Sequence, residues 1–68
     1  MGWLRGIEVA AGVRGIKGEE LAGILKRVKQ DASAARKKHK GEGREMAAEH
    51  AAWMRYGEEL RNREGGKA

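Results

Sequence analysis

The chain has no cysteine, no proline and no phenylalanine in its 68 residues. Without cysteine there are no disulfide staples and no thiolate metal site. Trp3, Trp53 and Tyr56 are the only aromatics. That is too few to stack successive bases of a single strand. His39 and His50 are the only histidines, and Ala47 stands where a Glu-x-x-His pair with His50 would need its carboxylate. No metal is expected from that ligand set. Ser33 is the only hydroxyl besides Tyr56, and no acid–base pair accompanies it. Two exposed helices enclose no dry pocket, so neither an enzyme nor a cofactor is expected. No apolar run approaches the length of a membrane-spanning helix. The N-terminus lacks the basic start and unbroken apolar run of a secretory signal. A cytoplasmic or intracellular setting is therefore expected.

Hydrophobic residues make up 40% of the chain, but eleven of them are alanine. Large apolar side chains are few, and a chain this short rarely stabilises itself without staples. One domain at most is expected, completed by self-association or by docking on a larger protein.

What is present is helical periodicity. Leu21, Leu25, Val28, Ala32 and Ala35 alternate steps of four and three, with Ile24 beside them. That spacing keeps one face of a helix apolar from Gly18 to about His39. Glu19 and Glu20 suit its positive end, and Arg36, Lys37, Lys38 and Lys40 its negative end. Gly41 and Gly43 then supply a stop. A second helix is expected over about 44–63. Its stripe is Met46, His50, Trp53, Gly57 and Leu60, with Ala47, Ala51 and Met54 alongside. Glu59 and Arg63 stand four apart, the spacing of a local ion pair. The short turn at Lys40–Gly43 makes the two helices antiparallel neighbours. Ala32 and Ala35 then face Ala51 and Trp53, and Leu25 faces Leu60.

The expected fold is all-α: an antiparallel helical hairpin over 18–63, of coiled-coil character, with a glycine-rich arm over 1–17 and a disordered tail over 64–68. The arm reads two ways. Trp3, Leu4, Ile7, Ala10 and Ala11 share one face of a short helix. Ile7, Val9, Ala11 and Val13 alternate as in a strand, which before two helices would give the order of a ribbon–helix–helix DNA binder. A short helix or irregular arm is favoured, with Trp3, Leu4 and Ile7 as apolar anchors for the hairpin or for a partner.

The net charge of +5 is unevenly placed. Residues 24–44 carry eight cations, Lys26, Arg27, Lys29, Arg36, Lys37, Lys38, Lys40 and Arg44, against Asp31 and Glu42. Such a patch attracts nucleic acid, an acidic protein surface or anionic lipid. The function expected is a small non-enzymatic structural or adaptor subunit of a larger assembly, nucleoprotein or virion in kind. Its partner-binding residues would be Trp3, Leu4, Ile7, Trp53 and Leu60. The alternative is a basic DNA- or RNA-binding regulator acting as a helical dimer. A membrane-surface role, with Trp3–Ala11 as wedge, ranks below both.

Overall fold

A computed structural model of the chain describes residues 2–65. Three helices account for nearly all of it: α1 (Trp3–Val13), α2 (Gly18–Lys38) and α3 (Arg44–Gly65). A single 3-10 turn, Gly41–Gly43, joins α2 to α3. No strand occurs among the described residues, so the arm is a helix and the ribbon–helix–helix order falls away. Period-two alternation in 7–13 also leaves Ile7 and Ala11 four apart, and burial of that pair decides for the helix. The tail begins later than expected, because α3 runs through Glu64 to Gly65. The rest of the expected tail, 66–68, lies outside the described residues.

The end of α1 explains how a glycine-rich leader folds. Gly15 has φ +85°, the left-handed region where a Cβ would be strained. The Ile16 N–H donates to the Ala11 carbonyl at 2.9 Å, and the Gly15 N–H donates to the Gly12 carbonyl at 3.0 Å. This is a Schellman close, and it carries the usual apolar contact across it. Both Ile16 and Ala11 are fully buried. The turn therefore drives Ile16 into the interior and starts α2 only two residues later.

The α2 helix has its polarity reinforced as the sequence predicts. Glu19 and Glu20 occupy the first turn, and Arg36, Lys37 and Lys38 the last. It stops at Lys38, and His39 is extended. Of the two glycines after it, Gly41 uses positive φ, at +85°, and Gly43 does not. Gly43 is thus a turn residue rather than a second stop.

The interior is small. Ile7, Ala11 and Ile16 from the first segment meet Ile24, Val28 and Ala32 of α2 and Ala48, Ala52 and Tyr56 of α3. Trp3, Ala10, Leu21, Leu25 and Leu60 close its edges. The α2 face is the predicted one. The α3 face is not, since Met46 is 74% exposed and Met54 61% exposed, and His50 is exposed as well. The stripe through Met46, His50, Trp53, Gly57 and Leu60 is turned roughly half a revolution from the side that meets α2. Ala48 and Ala52 take that side instead. Small residues let the two helix axes approach closely, and Tyr56 then fills the space beside α1. Ala32 accordingly lies at the Ala52 level rather than against Trp53.

Candidate functional site

Four arginines are drawn into pairs across the α2–α3 contact. Arg27 of α2 grips Glu59 of α3 with both nitrogens, Nε at 2.6 Å and Nη2 at 2.8 Å. Arg36 grips Glu45 the same way, at 3.1 and 3.0 Å. In the opposite sense, Arg55 of α3 donates to Asp31 at 3.1 Å, and Arg63 donates to Glu20. A planar guanidinium fits a carboxylate through two parallel bonds, which a lysine ammonium cannot do. The pairs fix register, because each ties one level of α2 to one level of α3. Arg14 adds a tie from the end of α1 to Glu64 at 3.1 Å.

These bonds shift the groups that make them. Hydrogen bonds from Arg27 hold the Glu59 carboxyl below its ordinary value, against burial and helped by the charges of Arg27 and Arg55. Hydrogen bonding from Arg36 lowers Glu45 likewise, and Arg44 adds to it. A lowered carboxyl stabilises the fold above the unfolded-state pKa, and the contribution is lost as pH falls through the folded value. Glu59 is the most sheltered of these carboxylates, with its side chain 10% exposed. The expected Glu59–Arg63 pair does not form. Each residue instead reaches across to α2, where Arg27 and Glu20 stand.

The basic patch is therefore two sets. Arg27 and Arg36 are engaged within the chain. Lys26, Lys29, Lys37, Lys38, Lys40 and Arg44 are exposed and make no ion pair among the described residues. Lys26, Lys29 and Lys37 fall within an arc of about 80° on α2, over a length of about 16 Å. Gln30 and Ser33 lie between them. From Leu21 to Gly41 the one acid is Asp31, and it is turned to Arg55. The outer face of α2 is thus cationic over three turns. Lys40 and Arg44 flank the turn, and Lys38 sits to one side of the face.

The apolar candidates separate too. Ile7 is wholly buried in the interior, so it anchors α1 to this chain itself. Leu60 and Trp3 are half-buried at the core's edge. Trp53 remains 38% exposed. Its indole lies over Gly6, where a Cβ would approach to 3.2 Å, and makes an edge-on contact with Tyr56 at 5.7 Å. Trp3 and Leu4 line a cleft of about 450 Å³ with Lys29, Arg36 and Glu45. The Arg36 guanidinium stands 6.0 Å from the Trp3 ring centre, within cation–π range. One apolar pair from α1 and two cations from α2 are thereby brought together.

Among the described residues no three His, Cys, Asp or Glu side chains cluster as a metal site would need. None of the described helices is long and apolar enough to cross a membrane. No protein-family model matches the chain, and neither a curated protein nor a solved structure resembles it significantly.

Proposed function

We propose that the chain is a small non-enzymatic binding subunit of a larger intracellular assembly, and that α2 is its contact with a polyanion, nucleic acid above all. The α2–α3 hairpin serves as scaffold, stiffened by α1. The sorting of cations carries this reading. The two arginines within α2, Arg27 and Arg36, are occupied by the chain's own carboxylates, and Lys26, Lys29 and Lys37 share one acid-free face. Lysine acts as a mobile point charge, suited to phosphate contact without sequence readout.

The test is a salt titration of binding to double-stranded DNA and RNA. Wild type is expected to bind with a steep negative log–log salt slope. Replacing Lys26, Lys29 and Lys37 together with alanine is expected to reduce that slope by roughly 2–3. Far-UV circular dichroism should be unchanged, since all three side chains point to solvent. Binding that ignores salt, or survives the triple substitution, would remove the polyanion reading.

A second reading keeps the structural or adaptor role but makes the partner a protein. The cleft at Trp3 and Leu4 favours it, because two half-buried apolar side chains there border free cationic charge. Salt-insensitive association abolished by Trp3→Ala would select this reading. The membrane-surface role has less support, since Ile7 and Ala11 of the proposed wedge face the chain's own interior.

A further inference from the structure

The flank of the α2–α3 pair away from α1 is uncovered. A groove of about 690 Å³ runs there, floored by Ala34, Ala35, Ala47 and Ala51 and walled by Met46 and His50. No residue of α1 lines it. A second hollow continues it past Met54 towards Glu58 and Arg61, and Asp31 borders both. Methionine is flexible enough to fill irregular gaps. Two of them standing in water beside an alanine floor form a surface ready to be covered.

The placement of residues along the groove identifies what covers it. Asp31 is level with Arg55, Arg27 with Glu59, Glu20 with Arg63 and Arg36 with Glu45, and together these pairs set Ala34 and Ala35 level with His50 and Glu49. Met46 and Met54 stand four residues either side of His50. Asp31 and Lys38 stand symmetrically about Ala34 and Ala35. One axis therefore serves both helices. We infer that a second copy of this chain docks face to face on the groove, related by a two-fold axis that crosses α2 between Ala34 and Ala35 and α3 at His50.

In that arrangement α3 runs antiparallel over its counterpart, and Met46 of each copy meets Met54 of the other. Lys38, which has no ion pair among the described residues, lies over the partner copy's Asp31, whose side chain is 39% exposed. Every contact occurs twice, as an isologous interface demands. The alanines at the centre let the helix backbones approach. The surface area is consistent with this. The chain exposes 4938 Å², whereas a compact monomer of its mass exposes about 4,200 Å². The excess is of the order of the ~800 Å² that each partner gives to a standard interface. The same axis lays α2 over α2, so the two lysine faces share one edge of the dimer. The inference does not use Lys26, Lys29 or Lys37, and it stands or falls separately from polyanion binding.

A chain without cysteine allows a direct test. The variant Met46→Cys, Met54→Cys is expected to oxidise to a covalent dimer. An equal mixture of the two single variants should also cross-link, and neither single variant alone should. The two cysteines of one chain are about 12 Å apart along α3, too far to bridge each other. Sedimentation equilibrium of the wild type should give a dimer. Ala51→Glu should weaken it about tenfold or more, with helicity retained, because it places two carboxylates in the seam. Lys38→Glu should weaken it by a smaller factor. A wild type that stays monomeric up to about 0.5 mM overturns the inference. So does a dimer indifferent to Ala51→Glu, or one in which the double-cysteine variant fails to cross-link. These experiments contain no polyanion, so their failure is distinct from failure of the salt titration.

Discussion

The helix pair α2–α3 has two apolar flanks, and they are built differently. Towards α1 it presents Ile24, Val28 and Tyr56, all buried. On the other flank it presents Ala34, Ala47 and Ala51 with Met46 and Met54, of which the methionines are exposed. Branched and aromatic side chains lose few rotamers on burial and make a fixed surface for α1 to rest on. Alanine and methionine make a surface that accepts a second body without specifying a tight interior. α1 seals the first flank and lines none of the second.

The largest expected effect comes from breaking the sealed flank. Ile7 is the centre of α1's contact with the other helices. Ile7→Ala is expected to cost about 2–5 kcal/mol by chemical denaturation, through lost burial and the cavity left behind. A change under about 1 kcal/mol would mean that α1 contributes little to the interior. Next comes Ala32, fully buried in the cluster that the three helices share. Ala32→Leu should cost roughly 1–3 kcal/mol by overpacking, read as a lowered melting temperature. Unchanged melting would count against the close approach of the helices there.

The smallest effect sharpens the comparison. The Tyr56 hydroxyl is buried and has no hydrogen-bond partner among the described residues. An unpaired buried hydroxyl is a loss against water. Tyr56→Phe is therefore expected to leave stability unchanged or raise it by up to about 1 kcal/mol. A clear loss in thermal melts would show that the hydroxyl is bonded after all.

Much of α2 was legible in the sequence. Its stripe is long and its end charges agree with its direction, so local and tertiary preferences coincide. α3 was harder because it has apolar or small residues nearly all round. Size favours Met46, Trp53 and Leu60 as the inward residues, and Leu60 does pack at the core's edge, but close packing against α2 selects Ala48 and Ala52 over Met46 and Trp53. Volume matching between two faces is a property of the pair and is invisible along one chain. The leader is a short helix, one of the two forms favoured for it, and the turn that closes it is what the sequence hides. Gly15 followed by Ile16 is a turn-and-anchor signal, but it stands among glycines that lower helix propensity. Among the candidate cations, residue type held more than position did. Within α2 the guanidinium forks of Arg27 and Arg36 take carboxylates of α3, whereas the lysine ammonium groups stay outside. That division was available in the sequence only to a reader who already knew which carboxylates lie across from which arginines.

Both indoles of the chain lie where α1 touches the rest of the molecule, Trp3 under Arg36 and Trp53 against Gly6. Lifting α1 would hand both rings to water at once, while α2 and α3 keep their own ties through Arg27 and Arg55. Intrinsic fluorescence is thus an optical gauge of whether the leader is seated. Far-UV circular dichroism reads the helices independently of it. Recorded together on one unlabelled sample, the two signals separate undocking of α1 from unfolding of the chain.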